Sequence, residues 1–349
     1  MQIVAITAIS LATLGIAFAF PRASFADSEP DISGPHVHDN LAVYFVHGES
    51  APGPVPLTLQ EALGKGSVRV IETGEVNELK VENTGNEDVF IQAGDIVKGG
   101  KQDRVLTLSF VLPPKSGEVG LAAFCVEQGR WSARGIEDVK AFASAREAMP
   151  SRTAKLAMAR RPAAKATASS DEERSADTYA SQREVWASVA DTQEKLSGRL
   201  NETVTASVSE SSLQLSLENE KLKKERTRYI DALQKTGEAN ADIVGYVLAI
   251  NGRVVSADVY PSNGLFRKMW DNQLAAGVTE AIGEADGKTV SAPGKDAAAA
   301  FLKAASSPQA HEEVVNDLSR RAVREAEEAV YVEAKRGNGS WVHRNYLAK

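Results

Sequence analysis

The chain has 349 residues, of which 43% are hydrophobic and 25% are charged, and these values exclude a fibrous, a multi-span membrane and a wholly disordered protein. The acidic balance of 40 Lys and Arg against 47 Asp and Glu disfavours a dedicated nucleic-acid-binding protein. A single cysteine excludes an intrachain disulfide bond and a zinc site built on two or four thiolates.

The first predicted element is a targeting segment. Residues 1–20 are apolar almost throughout, Pro21 ends the run, and Ser24 and Ala26 are small residues of the kind that signal peptidase recognises. We therefore expect residues 1–26 to be a cleaved signal peptide and the protein to be secreted or periplasmic. The pattern is atypical because no Lys or Arg precedes the apolar run. An uncleaved N-terminal anchor is the open alternative, since the run is nearly long enough to span a bilayer.

The next part of the chain is predicted to be β-rich. Residues 27–40 are polar, contain Pro and Gly, and are expected to be mobile. Over residues 41–135, short apolar runs alternate with turn residues, which is typical of an antiparallel β-sandwich or a barrel-like half. Thr58 and Glu61 have the spacing of a capping box and predict a short helix. Residues 104–112 are apolar on both faces and predict one central strand.

Residues 136–240 are predicted to be a helical segment. The composition changes near its start, and residues 138–149 are expected to form a helix, as are residues 179–200, whose apolar side chains recur every three or four positions. Between these helices, residues 151–170 contain five Lys and Arg residues and no acid. Such a run could bind a polyanion, but a solvated basic linker is the more common meaning of this pattern, and we favour the linker.

Residues 241–349 are predicted to be a mixed α+β half. Asn251-Gly252 lies between two apolar runs and supplies the positive φ angles of a type I′ turn, which predicts a β-hairpin. Apolar spacing predicts further elements, namely helices over 265–282, 297–305 and 312–327 and a closing hairpin over 330–343. The fold class is therefore α+β, with an N-terminal antiparallel β-sandwich or barrel-like half and a C-terminal mixed helical half with β-hairpins.

The densest polar cluster lies between residues 94 and 104. Glycines there allow the backbone to approach a ligand closely, and the cations add charge suited to a phosphate or carboxylate. The segment is not a Walker A loop, because Gly100 stands where that motif requires Lys and a strand is predicted to follow. Its candidate ligand-binding residues are Lys98, Lys101, Gln102 and Arg104, and Asp103 is a candidate acid or base.

A second polar cluster follows the next predicted strand and begins at Glu127. In a hairpin that turns at residues 113–117, position 104 lies opposite about position 126, so we expect Arg104 and Glu127 to meet at one end of the strand pair. The two clusters would then form one surface, the strand-end patch, which comprises Lys98, Lys101, Gln102, Asp103, Arg104, Glu127, Gln128, Arg130 and Trp131.

Two interpretations of the strand-end patch stay open at the level of the sequence. It could bind an anionic ligand, with Glu127 or Asp103 as acid or base and the cations stabilising charge. It could instead be a structural network in which Arg104 pairs with Glu127, Asp103 pairs with Arg130, and Trp131 covers the sandwich. Arginines that neutralise both carboxylates would favour binding over catalysis, because a general base needs an unpaired carboxylate.

Other chemistry-bearing residues are less informative. Cys125 has no histidine nearby in sequence and is expected to be a small buried residue rather than a nucleophile. The His36 and His38 pair beside Asp39 could ligate a metal but lies in the segment expected to be mobile, and no metal site is assigned. Several polar residues near the C-terminal hairpins have no assigned role, namely Asp258, Tyr260, Arg267, His343 and Arg344.

Four separated segments, in order along the chain, resemble one known family. They are GDIVKGGKQDR (94–104), FCVEQGRW (124–131), NGRVVSADVY with LFRKMW (251–260 and 265–270), and WVHRNYL (341–347). The chain resembles the ARG and rhodanese-phosphatase-superfamily-associated protein domain family over about residues 41–347. The association of that family with ADP-ribosylglycohydrolase-like and phosphatase-like proteins implies nucleotide-derived or phosphorylated ligands.

Two hypotheses of function therefore come from different classes. The first is an exported binding module that holds an anionic small molecule, or a partner protein, through the strand-end patch. The second is a hydrolase that acts on a phosphate- or ribose-bearing ligand, with Glu127 or Asp103 as general base. A structural envelope protein without any ligand is a third possibility. The cofactor is unknown, no nucleic-acid partner is expected, and no membrane contact is expected beyond an uncleaved N-terminal anchor.

Overall fold

The computed structural model describes residues 29–135, 139–140, 142–160, 171–288 and 290–349. The predicted signal peptide over residues 1–26 and the second half of the predicted basic linker lie outside these ranges. The described residues form seven α-helices and seventeen strands, which confirms the α+β class.

The N-terminal part of the chain is mostly strands and contains one short helix. In order, its elements are β1 (Ile32–His38), β2 (Leu41–His47), β3 (Leu57–Thr58), α1 (Leu59–Gly64), β4 (Val68–Glu72), β5 (Glu78–Asn83), β6 (Val89–Ile91), β7 (Asp95–Gly99), β8 (Arg104–Leu106), β9 (Phe110–Leu112), β10 (Glu118–Cys125) and β11 (Phe142–Ala148).

The rest of the chain contains the long helices and the C-terminal hairpins. Its elements are α2 (Arg152–Arg160), α3 (Asp171–Leu200), α4 (Leu213–Leu217), α5 (Glu220–Leu233), a 3-10 helix (Gln234–Glu238), β12 (Ile243–Ile250), β13 (Arg253–Val259), α6 (Asn263–Glu284), α7 (Lys295–Ser306), β14 (His311–Asn316), β15 (Ser319–Glu325), β16 (Ala329–Arg336) and β17 (Trp341–Ala348).

Two small sheets build the N-terminal half. A six-stranded sheet has the order β11-β7-β8-β10-β5-β4, and a three-stranded sheet has the order β3-β6-β9. Apolar side chains from both sheets share one core, to which Val81 and Leu121 contribute from the first sheet and Ile91 and Leu112 from the second. The arrangement agrees broadly with the predicted sandwich or barrel-like half.

A large antiparallel sheet of eight strands organises the C-terminal half, in the order β1-β2-β12-β13-β17-β16-β15-β14. Its first two strands come from the N-terminus of the chain, and β2 pairs with β12. The sequence placed residues 41–46 in the N-terminal half instead, because a strand pattern does not identify a partner some 200 residues away.

Helices cover both faces of the eight-stranded sheet. On one face, Tyr246 and Leu248 share a core with Phe266 and Trp270 of α6. On the other face, residues of β12 share a separate core with α7. The strand β12 is therefore buried at all eight positions and reads as a continuous apolar run.

Several sequence predictions are confirmed at residue level. Thr58 and Glu61 form the reciprocal hydrogen bonds of a capping box at the start of α1. Asn251 and Gly252 adopt φ angles of 49° and 76° between β12 and β13, as a type I′ turn requires. The amphipathic run in the C-terminal half forms α6, and the closing hairpin forms from β16 and β17.

Two predicted helices are wrong. Residues 142–148 form strand β11, which pairs with β7 through an irregular register, so that the buried positions fall three apart and imitate a helix. The helix predicted over 312–327 is instead the β14–β15 hairpin. Asn316 accepts a hydrogen bond from the Leu318 N–H in its turn, an Asx-type contact that favours a hairpin turn over a helix.

Two further predictions of local structure are corrected. The segment 27–40, expected to be mobile, contains strand β1 on the edge of the large sheet. The single central strand predicted over 104–112 is two strands, β8 and β9, which belong to different sheets. Between them, the Thr107 N–H and hydroxyl both donate to the carbonyl of Ala122, and residues 107–109 link the two sheets. In the part of the chain described above, no helix is both long enough and apolar enough to cross a bilayer.

Candidate functional site

The two ends of the strand-end patch meet as predicted. β8 pairs with β10 so that Arg104 lies opposite Cys125, one position from the expected partner. Just beyond the strands, the backbone N–H of Asp103 donates to Glu127 Oε2 at 3.2 Å. The chemistry-bearing residues at the ends of these strands therefore share one location.

Asp103 and Glu127 form a buried network with two arginines. Both acids are fully inaccessible to solvent. Arg134 donates to both oxygens of Asp103, at 3.0 and 3.3 Å, and to Glu127 Oε1 at 3.2 Å. The guanidinium of Arg130 lies 2.6 Å from Glu127 and 3.5 Å from Asp103. With Ser212, whose hydroxyl donates to Asp103, these residues form what we call the arginine–carboxylate cluster.

The carboxylates of this cluster are occupied. Burial and the nearby charge of Glu127 raise the pKa of Asp103, whereas Arg134 opposes that rise. Each carboxylate oxygen of the pair already lies within hydrogen-bond or ion-pair distance of a donor. A general base needs a lone pair directed at a substrate, so this geometry favours a structural role for both acids over an acid–base role.

Arg104 does not pair with Glu127. Its side chain is fully buried and donates to the carbonyls of Val76 and Gln102, and one terminal nitrogen lies 3.9 Å from Glu72. Arg104 is the first residue of β8 and directs its guanidinium to Val76 and Gln102, whereas Asp103 precedes the strand and contacts Glu127. The predicted pair between Asp103 and Arg130 is present, and Arg134 takes the place that was expected for Arg104.

The other cations of the strand-end patch are also engaged. Lys98 forms an ion pair with Glu218 at 2.8 Å. The Lys101 ammonium lies 4.8 Å from the centre of the Trp131 ring, which is 43% exposed, and the Arg104 guanidinium lies 5.7 Å from it. The patch therefore presents a cation-flanked tryptophan to solvent.

The two amides of the strand-end patch differ in exposure. Gln102 is buried and donates to the backbone carbonyl of Glu127. Gln128 is exposed, and its backbone carbonyl accepts from the Ser211 hydroxyl at 2.6 Å. Gln102 thus reinforces the contact between the two strand ends.

Cys125 and the N-terminal histidines are explained by packing. Cys125 is buried, and burial raises the pKa of its thiol, as expected for a small core residue. His36 contacts Phe45, and His38 packs edge-on against Tyr229. Among the described residues, no group of three or more His, Cys, Asp or Glu side chains could hold a metal ion.

A second polar location was not predicted as a site. It is a cavity of about 30 Å³ between the β8–β9 loop, α2 and the face of the large sheet, and we call it the Ser109 cavity. Much of its lining is apolar, with Met158 and Val332 among the wall residues. Its polar side chains are Thr107, Ser109, Lys155, Arg321, His343 and Asn345.

Ser109, His343 and Asp258 form a continuous chain of hydrogen bonds at the cavity. Ser109 Oγ lies 3.0 Å from His343 Nδ1, and His343 Nε2 lies 2.9 Å from Asp258 Oδ1. The neighbouring strands β13 and β17 hold the last two residues: Asp258 pairs with Asn345, and His343 lies two positions along on the same face. The short link between β8 and β9 holds Ser109 beside them.

Asp258 is held in its charged form. It accepts hydrogen bonds from His343, from Asn345 at 2.8 Å and from the Tyr246 hydroxyl. Burial would raise the pKa of Asp258, but the bond to His343, the charges of His343 and Lys155, and the Tyr246 bond together lower it below its usual value. A buried carboxylate that stays ionised can orient an imidazole and stabilise its protonated form.

His343 is fixed by aromatic packing as well as by hydrogen bonds. Its ring stacks on Tyr260 with centroids 5.2 Å apart and meets Phe90 edge-on at 5.9 Å. The Tyr260 hydroxyl in turn donates to Gln92 Oε1 at 2.9 Å. The imidazole therefore has one orientation, with Nδ1 directed at Ser109.

Lys155 supplies the charge of the Ser109 cavity. It is half-buried on α2, and within the described ranges its ammonium makes no hydrogen bond or ion pair. The other cation in the lining, Arg321, is paired with Glu313 at 2.8 Å. The cavity thus combines apolar walls with a cation whose charge also acts on the carboxylates of Asp258 and Glu280.

Sequence reasoning missed the residues that long-range folding brings together. Asp258 and His343 were noted without a role, and Ser109 was placed inside a continuous strand. Arg267, which also has no role assigned from the sequence, donates to the carbonyl of Glu238. Lys155 was counted as part of a basic linker, although its position on α2 places it in the cavity wall. A Thr-Leu-Ser break in an apolar run is the one local signal for the link between β8 and β9 that carries Ser109.

Comparisons with known proteins identify a family. Neither curated proteins nor solved structures gave a match to the chain. The sequence model of the ARG and Rhodanese-Phosphatase-superfamily-associated Protein domain matches residues 29–347, which is nearly the whole length. The match confirms the resemblance carried by the four segments, and the chain belongs to this family.

Proposed function

We propose that the protein binds a small anionic molecule in the Ser109 cavity. The observation that carries the proposal is the half-buried Lys155, which has no ion-pair partner in the described ranges and lines a largely apolar cavity. Within the described ranges the charge of Lys155 acts on Asp258 and Glu280 without an ion-pair contact to either, so an anionic ligand that reaches the ammonium gains a direct charge interaction and the hydrogen bonds of the neighbouring polar groups.

The strand-end patch is the second candidate for the same function. Its support is weaker, because Lys98, Arg130 and Arg134 already pair with Glu218, Asp103 and Glu127. A ligand would have to compete with these pairs, whereas in the described residues Lys155 forms no ion pair and interacts with Asp258 and Glu280 only through its charge. The hypothesis of a hydrolase that uses Glu127 or Asp103 as general base stays a prediction with the same weakness.

The size of the cavity restricts the ligand. A single ordered water needs roughly 10–15 Å³ of such volume, and the cavity offers about 30 Å³. It accepts a short group such as a carboxylate, an acetyl group or one end of a phosphate ester, while a larger ligand extends past the exposed rim. A nucleotide-derived ligand would bind through one end only.

Thermal unfolding with a panel of anions tests the proposal. We expect acetate, inorganic phosphate or ribose 5-phosphate to raise the Tm of the protein at constant ionic strength, because a ligand of the folded state stabilises it by mass action, by about 2.7 kcal/mol at 100 times its Kd. Lys155→Met should abolish the shift. The matched control Lys224→Met removes an exposed lysine of α5 and should preserve it.

Two outcomes would contradict the cavity as the binding site. A shift that survives Lys155→Met and disappears in Arg104→Ala would move the site to the strand-end patch. Stabilisation by none of the anions would favour a structural protein without a ligand.

We also propose that the protein is exported. The support is the apolar run of residues 1–20 followed by Pro21 and the small residues Ser24 and Ala26. The N-terminal sequence of the protein recovered from its producing cells is expected to begin at Asp27. A chain that still carries residues 1–26 would indicate an anchor.

A further inference from the structure

We propose that Ser109 is a nucleophile and that the protein hydrolyses small anionic esters through a Ser109–His343–Asp258 triad. The inference shares the Ser109 cavity with the proposed function and rests on it for the charge of the substrate. The geometry that carries it is the pair of hydrogen bonds from serine to imidazole and from imidazole to a buried carboxylate, at 3.0 and 2.9 Å.

When the His343 imidazole is neutral, the hydrogen bonds fix which atom of the triad carries each proton. An ionised Asp258 only accepts, so the proton of His343 lies on Nε2 and Nδ1 is left as an acceptor. The Ser109 hydroxyl then donates to Nδ1, while its oxygen accepts from the Ala93 N–H at 2.9 Å. This is the state in which a histidine can take the serine proton.

The two nitrogens of the imidazole have the opposite partners from those in the familiar serine proteases. There the serine contacts Nε2 and the aspartate contacts Nδ1, whereas here the two nitrogens exchange roles. Either nitrogen of the ring can accept a proton while the other donates, so the proton transfer is chemically equivalent. The stacking of His343 against Tyr260 holds the ring in the plane that this arrangement requires.

The reaction balances without any additional reagent except water. Ser109 Oγ bonds to the acyl carbon of the ester as its proton passes to His343 Nδ1, and the bond from that carbon to the alcohol oxygen then breaks. The departing alkoxide takes the proton from Nδ1. Water attacks the acyl-serine by the same route, which releases the carboxylic acid and restores the Ser109 hydroxyl.

The cavity indicates the substrate class. Its volume of about 30 Å³ suits a short acyl group such as acetyl, and Lys155 in the same wall suits a carboxylate or phosphate elsewhere on the substrate. The leaving alcohol must extend toward the rim. We therefore expect acetyl esters that carry one negative charge to be better substrates than neutral acetyl esters.

A second set of the same residue types gives an internal comparison. His47 Nε2 lies 2.7 Å from Ser33 Oγ, and His47 Nδ1 lies 3.1 Å from Asp242. The Asp242 side chain is 62% exposed, however, against 3% for Asp258. Water competes for an exposed carboxylate, and the hollow beside His47 is open and acidic, so we assign the reactive serine to position 109.

Active-site labelling on the full chain tests the assignment. A fluorophosphonate probe forms a covalent bond with an activated serine, and peptide mapping by mass spectrometry locates it. We expect the label on Ser109 of the unaltered protein, and its loss in Ser109→Ala and in His343→Asn. The matched controls Ser33→Ala and His47→Asn should be labelled as the unaltered protein is.

Kinetics with a matched pair of acetyl esters tests the substrate class. We expect 4-acetoxybenzoate to be hydrolysed faster than phenyl acetate, and Ser109→Ala to lower kcat/KM by about 10³-fold or more. Lys155→Met should reduce the preference for the anionic ester over the neutral one by about tenfold, because any effect of the lost charge on Asp258 acts on both esters and cancels in their ratio.

The outcomes separate this inference from the proposed function. Labelling of Ser33, or of no serine, overturns the triad even when anions still raise the Tm through Lys155. Labelling of Ser109 together with no anion-dependent shift supports the triad and overturns anion binding. Mapping on the unaltered protein requires no variant, so a Ser109→Ala chain that fails to fold would not affect the result.

Discussion

Asp95 shows how the surroundings of one residue set a property of the protein. It begins β7 and accepts a hydrogen bond from the Gln92 N–H at 2.9 Å. Burial raises its pKa from the ordinary value of 3.8 to about 7, although the Gln92 bond opposes the rise. The folded chain therefore holds this proton more tightly than the unfolded chain does.

The raised pKa of Asp95 predicts a loss of stability as pH rises. Below about pH 4 the carboxyl is protonated in both states; between pH 4 and 7 only the unfolded chain loses the proton, so the free energy of unfolding falls across that range. Asp95→Asn imitates the protonated form and should stabilise the protein at pH 8 by about 1–3 kcal/mol, with no gain below pH 4. Urea denaturation at both pH values measures this.

The control for that experiment is Asp177→Asn, which alters an exposed residue of α3. It should leave the difference in the free energy of unfolding between the two pH values as it is in the unaltered protein. An Asp95→Asn chain with the same pH dependence as the unaltered chain would contradict the assigned pKa.

The elements differ in how far the sequence could predict them. Local signals were sufficient where the chain folds on its neighbours, as at Asn251-Gly252 and at the capping box of Thr58. They failed at β11, where an irregular register displaced the buried positions, and at β14–β15, where charged residues on partly exposed strands imitated a helix face. Hydrophobic period alone does not identify a strand whose ladder is interrupted.

The candidate sites, like the elements, could be predicted from the sequence only where their residues lie close together along the chain. The contact between Asp103 and Glu127 followed from one hairpin, because the residues lie on adjacent strands. Arg134 comes from a segment without a strand pattern, and the triad joins strands more than 80 residues apart. Such contacts depend on how sheets pack against each other, which the periodicity of any one segment does not record.

Gly100, in the loop between β7 and β8, is required for a different reason from the one predicted from the sequence. The sequence suggested that Gly100 makes room for a ligand. In the structure its φ angle is 55°, and a β-carbon there would lie 2.2 Å from the ring of Phe142, so β11 occupies the space. The glycine allows close packing between a loop and a strand of the protein itself.

Replacing this glycine should therefore be costly. We expect Gly100→Ala to lower the free energy of unfolding by about 3 kcal/mol, from the left-handed backbone and the contact with Phe142 together. The control Gly129→Ala also has a positive φ, 91°, but no neighbour within 4 Å, and should cost about 1 kcal/mol. Chemical denaturation measures both variants. Equal losses of the free energy of unfolding would show that the contact with Phe142 adds nothing to the cost of Gly100→Ala.

At the scale of the whole molecule, the arginine–carboxylate cluster connects the N-terminal sheets to the helical part of the chain. Asp103 and Glu127 extend from β8 and β10, while Ser212 is the N-cap of α4 and pairs through its backbone with Glu127. The Leu213 N–H also donates to the Val126 carbonyl. A change at Glu127 should thus affect the stability of both parts.

Glu127→Gln tests this connection because it removes one charge and keeps the shape. Arg134 and Arg130 would then share the single carboxylate of Asp103 in a buried site, and breaking a buried pair costs about 3–5 kcal/mol. We expect one cooperative unfolding transition with a much lower midpoint. The control Glu118→Gln breaks the exposed pair with Lys80 and should cost less than about 1 kcal/mol. If Glu127→Gln lowers the free energy of unfolding no more than Glu118→Gln does, then sheet packing, and not the buried charges, holds the two parts together.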